Sequence, residues 1–525
     1  MKSSILSRGA TGRLWPLVCA VAVLGLLTAI LVGRKIGGGW IVDDDANYYL
    51  LVARNIAATG TSTFDGQSLT NGYHPLWLAL LVLQDLTVGP STAVTLMIQV
   101  LFYAGGVYLV LRRAASAPAL ALVAFTVCFA TPIGHFGLGG MELSLLVLCF
   151  GLFVTAMAWA RDGDAPVRGL ALGLAAAACV AARIDSAVFI APALAVAPVS
   201  RKGRVLAFGV LAVFGAVYAA YNLSMFGALL PLSSAVKALG GLQVNHRLLA
   251  QLGLGHDHRT FQAPFLATSL MLIASPALIP LSRPHTLARA LAVASVVGGW
   301  IYLARLVFMS SWAVWPWYNF AMLFPMTAAL YAAPPWIEAA SERLAGRLGP
   351  GRIGAAALAL CIAALAGLAA WAALVVLHPP RWGRNMEVLN RLAIRKYGAA
   401  LGGARVAMGD RSGSFAMAYA GPLVQLEGLV NDKAYFDTVK AQGDVQGLLC
   451  RRRVRYVIDY QPDLGAYDHL RFSVMRPALT QFRAPALDVW RSDELGHFKD
   501  LGAYDSGEGN DTLYIWRLRC PPDHG

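Results

Sequence analysis

"WIVDDDANYYLLVARN", residues 40–55, places three consecutive carboxylates, Asp43, Asp44 and Asp45, just after an apolar run suited to hydrocarbon. The run from Leu14 to Gly33 has about 20 residues, the length of one membrane crossing, so the triplet marks the water boundary at its end. Lys2, Arg8 and Arg13 precede it, as in a signal peptide. Its core is longer than the usual roughly 7–15 residues, and no small-residue cleavage site stands out after it. It reads as an uncleaved first span with its amino end in the cytoplasm.

Of the 525 residues, 57% are hydrophobic and only 14% are charged. With a mean hydropathy of +0.57, the chain is no ordinary soluble domain. The net charge of +14 would suit nucleic acid. Most basic residues, however, sit in short clusters between apolar runs, where topology and lipid headgroups account for them. The bilayer is therefore the expected partner, and nucleic acid is not.

Further apolar runs fall at about 91–111, 117–133, 141–160, 167–182, 186–199, 204–224, 264–281, 288–307, 317–333 and 353–377. The expected fold is mainly α, with about eleven transmembrane helices in residues 1–378. Arg112, Arg113, Arg161, Arg168, Arg201, Lys202, Arg204, Arg283, Arg289, Arg343, Arg347 and Arg352 occupy one set of alternating loops, which the positive-inside rule puts in the cytoplasm. The triplet, the Pro231–Lys237 region and "WAVWPWY", residues 312–318, then share the outer face with the carboxyl end. A bacterial inner membrane, crossed many times, is the implied location.

After the triplet, Tyr48, Tyr49, Leu51, Val52 and Ile56 recur at the spacing of an amphipathic helix lying in the interface, with Arg54 and Asn55 on a more polar side. "TGTSTFDGQSLTNGYHPLW", residues 59–77, is rich in turn formers that fold Asn71, Tyr73 and His74 back toward the carboxylates. Leu76 to Leu86 is short for a span and reads as a second interfacial helix.

The pattern W-I-x-D-D, then R-N, a glycine-led turn and "TNGYHPLW" resembles the GT-C class of membrane glycosyltransferases. Within that class it is most similar to the actinobacterial arabinofuranosyltransferases of the cell wall. The similarity is strongest over residues 40–77 and departs from those enzymes at "TNGYHPLW". The resemblance implies paired acidic residues in the first external loop, a polyprenyl-phosphate-linked sugar as donor, and a glycan, lipid or protein acceptor outside the cytoplasm.

The residues suit that chemistry in their own right. Inverting transfer needs a carboxylate to take the acceptor hydroxyl's proton while the bond from sugar to phosphate breaks through an oxocarbenium-like transition state. Asp44 is the first candidate for this base, with Asp43 and Asp45 as rivals. A second acidic group would orient the acceptor or hold a divalent cation, Mg or Mn, at the leaving phosphate.

Donor binding calls for basic or hydrogen-bonding groups at the outer surface: Arg54, His74, Arg183, Lys237 and Arg305. In "AARIDSAVF", residues 181–189, Arg183 and Asp185 stand between two apolar runs, either as a mutual ion pair or as site residues. "FGALLPLSSAVKA", residues 226–238, offers Ser233, Ser234 and Lys237 in a turn before a short helix. Trp317 and Tyr318 belong either to an interfacial aromatic belt or to a surface that stacks on sugar or polyprenyl. "HDH", His256 to His258, lacks a third ligand at a recognised metal spacing.

From "HPPRWGRN" onward the composition turns polar, and residues 379–525 read as an extracytoplasmic α/β domain. "ARVAMGD", "VRYVIDY" and "TLYIWRLR" read as strands and "YFDTVKAQGDVQGLL" as helical. "GDRSGSFAMAYAG", residues 409–421, reads as a tight strand-to-helix turn, without phosphate-loop spacing. "LEGLVNDK", residues 426–433, is the candidate acceptor contact. Cys450 and Cys520 alone among the seven cysteines fall in this part, where an oxidising compartment permits them to pair. A lipid or glycolipid transporter or flippase is the alternative function. Its signature of repeated halves with broken helices is not found, since the polar residues crowd one face.

Overall fold

The computed structural model describes residues 42–113, 138–239, 241–254, 263–310, 312–333, 381–409, 411–459 and 512–520, with short pieces within 24–32 and at 469–470, 487–491 and 497–499. The triplet opens helix α1, Asp44–Thr59. Asp43 is the extended residue before it, and Asp44 and Asp45 in its first turn oppose the positive end of the helix dipole. Gly60 ends the helix in the left-handed conformation that glycine adopts without a Cβ penalty.

Ala46 through Ala53 are buried without interruption. Over this stretch the helix is therefore covered on all sides rather than lying half in water as its periodicity suggests. The second covering comes from far along the chain, from the C-terminal layer described below. Pro75 starts α2, Pro75–Thr87, in the first turn, where an amide has no intrahelical acceptor to lose.

The apolar helices follow: α3 (Thr92–Leu111), α4 (Leu143–Arg161), α5 (Pro166–Ala182), α6 (Ala187–Ala195), α7 (Arg201–Phe226), short α8 (Leu232–Lys237) and α9 (His246–Gln251), α10 (Ala263–Ala274), α11 (Leu278–Leu281), α12 (Leu287–Phe308) and α13 (Leu323–Ala332). Without a hydrophobic drive between helices in lipid, close packing requires small residues. A Cβ on Gly106 of α3 would lie 2.5 Å from the Val147 backbone of α4. One on Gly169 of α5 would lie 2.9 Å from Gly203 of α7. In α7 only Ala207, Asn222 and Phe226 are buried, as befits a helix facing lipid.

Five segments among the described residues are long and apolar enough to cross a membrane: Thr92–Leu111, Leu143–Arg161, Arg201–Phe226, Ala263–Leu281 and Leu287–Phe308. The expectation of about eleven is thus met in part. The runs at 117–133 and 353–377 lie outside the described residues, as does most of the first. The run at 167–182 is the shorter apolar helix α5. The run at 186–199 yields only the nine residues of α6, interrupted by Pro192, and 317–333 divides into the 3-10 turns Pro316–Met322 and α13.

Residues from Arg381 onward begin with helix α14, Arg381–Leu401, and build a mixed sheet. Strands β1 (Val406–Met408), β2 (Leu423–Gln425), β3 (Tyr456–Asp459), β4 (His469–Leu470), β5 (Leu487–Arg491), β6 (His497–Lys499) and β7 (Thr512–Leu518) take the order β2-β1-β3-β7-β5-β4, with β6 also on β7. β1 runs parallel to β2 and β3, and β7 antiparallel to β3. Helix α15, Ser412–Ala418, follows β1 through a turn at Arg411. The helical stretch after it is two helices, α16 (Lys433–Lys440) and α17 (Val445–Arg451), because Gln442 turns left-handed and Asp444 caps a new start. Cys450 of α17 is disulfide-bonded to Cys520 beyond β7.

Candidate active site

One set of helix ends converges on a cavity of about 500 Å³. Its walls come from α1, the residues before α4, the end of α5, the loop and short helix after α7, the end of α12 and the aromatic segment at 317–318. Leu429 and Val430 of the C-terminal layer complete it. The opposite helix ends carry Arg112, Arg161, Arg201, Lys202 and Arg289.

Asp44 and Asp45 stand about 100° apart around the helix axis, Asp43 precedes the helix in extended conformation, and each of the three meets a different neighbour. Asp43 presses on Gly139, where an added Cβ would lie 1.8 Å from its Oδ2. Asp44 accepts from the amides of Gly413 (2.9 Å) and Ser414 (2.8 Å) at the start of α15, and Tyr48 Oη lies 3.1 Å from Ser412 Oγ beside it. Asp45 is the member of the triplet that lines the cavity.

Glu142 is fully buried, and no motif in the sequence marks it as a site residue. It is the lone acidic residue between Asp85 and Asp162, just ahead of an apolar run, and that isolation is the signal that marks it. Its Oε1 accepts from Arg183 Nη1 at 2.6 Å and its Oε2 from Tyr49 Oη at 3.2 Å. Arg183 also donates to Asp185 at 2.9 and 3.3 Å, and its guanidinium lies 4.5 Å from the Phe320 ring centre and 5.4 Å from that of Tyr318. Burial works against both charges of the Arg183–Asp185 pair. The carboxylates nonetheless hold the guanidinium charged, and Arg183, His74 and Arg305 hold the Asp185 carboxyl below its usual range.

His74 faces this network. Its Nδ1 accepts from the Ile184 amide at 3.3 Å, which leaves the proton of the neutral ring on Nε2, 3.6 Å from Glu142. Burial lowers its pKa, with Glu142 only partly compensating, so the ring is neutral at pH 7.

Two other cations line the cavity. Lys237 donates to Tyr318 Oη at 3.1 Å and lies near the Trp312 ring, and Arg305 donates to Ser234 Oγ at 2.7 Å. Among the described residues neither has a carboxylate within ion-pair distance. Burial opposes the Lys237 charge, but Tyr318 and Asp45 outweigh it and raise its pKa. Trp317 stacks with Trp315 at 5.9 Å and borders the cavity with Tyr318.

Tyr73 also lines the cavity and shares a 2.7 Å hydrogen bond with Ser62. Asn71 does not line it. Its side chain accepts from Leu232 N and donates to Asn222 Oδ1 and Leu230 O, tying the first loop to α7 and α8. Arg54 lies off the cavity, where its charge acts on Asp85 of α2, because it stands on another side of α1 from Asp45. His256 to His258 lie outside the described residues. Among the described residues no three His, Cys, Asp or Glu side chains converge as metal ligands. Arg183 engages both Glu142 and Asp185, so these two carboxylates are committed to a guanidinium and do not fit a divalent cation.

No family model matches the chain, and no curated protein sequence matches it. Among solved structures, it is similar to the crystal structure of ArnT from Cupriavidus metallidurans in the apo state. The TM-score is 0.50 at 14% sequence identity, over 85% of this chain and 93% of that one. At that identity the likeness is one of fold. The chain is a mainly helical membrane protein with an ArnT-like fold, and its cavity, apolar over most of its wall with Asp45, Arg183, Lys237 and Arg305 among the lining, lies where one set of apolar helix ends meets the C-terminal layer.

Proposed function

We propose that the chain is a GT-C-like inverting glycosyltransferase that moves a sugar from a polyprenyl-phosphate donor to a hydroxyl of a glycan, lipid or protein acceptor outside the cytoplasm. Asp45 takes the proton of the acceptor hydroxyl, whose oxygen bonds to the anomeric carbon. The bond from that carbon to the phosphate oxygen breaks, and its electron pair leaves with the phosphate. Lys237 and Arg305 meet the charge that grows there. Arg183, held by Glu142 and Asp185, stiffens the wall and offsets one of their two negative charges.

The observation that carries the reading is Asp45, Lys237 and Arg305 in one cavity at the ends of apolar helices, where a lipid-borne phosphate meets water. The ArnT-like fold supports the class, together with the first-loop resemblance. Arginines at the opposite helix ends support an outward-facing cavity, and the Cys450–Cys520 disulfide supports an oxidising side for the C-terminal layer.

The test is transfer by the purified protein in nanodiscs from a panel of polyprenyl-phospho-sugars, beginning with arabinofuranose, to an alkyl glycoside. Asp45→Asn should lower turnover by about 100-fold or more while the protein still binds dodecyl phosphate. Full turnover by folded Asp45→Asn would remove the assignment.

A further inference from the structure

The first external loop and the C-terminal layer touch at backbone level. A Cβ on Gly72 would lie 1.7 Å from Leu429 O, and one on Gly413 would lie 2.3 Å from Asp44 O. Arg452 bridges the same parts, reaching Ser68 Oγ at 3.3 Å while binding Asp432 at 2.7 and 2.8 Å. Within this seat Asp44 supplies a second charged contact, accepting two backbone amides, and Tyr48–Ser412 lies beside it. The layer seated there puts Leu429 and Val430 into the wall of the cavity that Asp45 lines.

We propose that Asp44 is a positioning residue. Its carboxylate, holding the Gly413 and Ser414 amides, seats the C-terminal layer so that Leu429 and Val430 form the apolar surface against which the acceptor rests near Asp45. Asp44 and Asp45 are adjacent on one helix, about 1.5 Å apart along its axis, so the wall and the base are registered to each other by a single rigid turn. The inference rests on the reading of Asp45 as base and divides the triplet: one carboxylate for chemistry and one for placing the surface that selects the acceptor. A charged acceptor on two amides is a strong latch, because charge-assisted hydrogen bonds exceed neutral ones.

The test uses the full chain in nanodiscs and two readouts on Asp44→Ala, Asp44→Glu and Asp45→Asn. Amide exchange over 412–418 and 426–432 should rise about tenfold or more in Asp44→Ala, the effect of losing a helix-start contact worth about 1.4 kcal/mol. It should be partly restored in Asp44→Glu and unchanged in Asp45→Asn. With polyprenyl-phospho-arabinofuranose and an octyl glycoside, Asp44→Ala should raise the KM for the glycoside about tenfold. Its kcat and donor KM should stay close to wild type. Asp44→Asn, which keeps the volume, serves if the alanine variant does not fold. Exchange equal to wild type in the Asp44 variants overturns the latch, whatever the reaction. Loss of kcat in Asp44→Ala with unchanged exchange makes Asp44 the base instead. If the wild type transfers no sugar, the reaction assignment fails, while the exchange data still decide the latch.

Discussion

Arg183 Nη1 donates to Oε1 of Glu142 over 2.6 Å, joining the end of α5 to the residue before α4. Both side chains are almost wholly buried, so neither charge has water to fall back on. Removing one partner of a buried pair typically costs about 3–5 kcal/mol when the other is left uncompensated; here Asp185 still faces Arg183, so the loss falls toward or below the lower end of that range. Glu142→Ala should therefore lower the thermal midpoint. Glu142→Gln, which keeps an acceptor for Arg183, should lose less. Differential scanning fluorimetry of the two variants checks the order.

Lys237 and Arg305 make hydrogen bonds to Tyr318 and Ser234 rather than ion pairs with any described carboxylate. Lys237→Met and Arg305→Met should each weaken dodecyl phosphate binding by about tenfold or more, the cost of one charge-assisted contact. Ser234→Ala should have a smaller effect, since it only orients the guanidinium. Calorimetric titration of each variant gives the comparison, and unchanged affinity in Lys237→Met would place the phosphate elsewhere.

His74 links stability to pH. Its folded pKa lies below the ordinary value near 6.5, so below that pH the unfolded chain binds more protons than the native one. The stability this residue contributes is present above about pH 6.5 and is lost as pH falls through the folded pKa. The thermal midpoint should decline on acidification from pH 7 to pH 5. In His74→Asn, whose amide oxygen can still accept from Ile184 N, that slope should flatten.

Gly72 has Leu429 O where a Cβ would stand, at 1.7 Å. Backbone cannot yield as a flexible side chain does, so Gly72→Ala should separate the first loop from residues 426–430. The expected result is faster cleavage after Leu429 by chymotrypsin and after Lys433 by trypsin, and weaker sugar transfer, with dodecyl phosphate binding retained. Limited trypsin or chymotrypsin digestion followed by mass mapping reads the first effect.

Cys450 and Cys520 close a loop with a sequence separation of 70. Chain-entropy reasoning assigns such a link about 4 kcal/mol. Cys520→Ser should destabilise β7 and its neighbours while the apolar helices persist. Reducing agent should lower the melting of the C-terminal layer in the wild type and leave the variant unmoved.

Much of the cavity is visible in the primary structure. Lys237, Arg305, Trp317 and Tyr318 stand out as polar or aromatic residues at the ends of apolar runs, and each borders the cavity. The roles within the triplet are not visible, since adjacent residues on a helix differ only in direction, and direction is set by what packs against them. Arg54 misleads for the same reason: proximity in sequence to Asp45 puts it on another side of α1. The burial of Ala46–Ala53 in α1 is equally hidden, because one of the segments that cover it lies more than 350 residues away, as the Tyr48–Ser412 pair illustrates. Glu142 carries a signal in its isolation, but a lone acid among apolar residues does not say which base it will meet.

The fan of three aspartates has a consequence for how this protein can change. Deleting one of them would preserve two neighbouring negative charges and leave the segment nearly identical on paper, yet it would rotate every residue upstream by about a third of a turn. The Gly139 contact, the grip on Gly413 and the cavity-facing oxygen would then compete for two side chains. Substitution at any one position is a gentler change than deletion, and lineages that drift here should alter letters before they alter length.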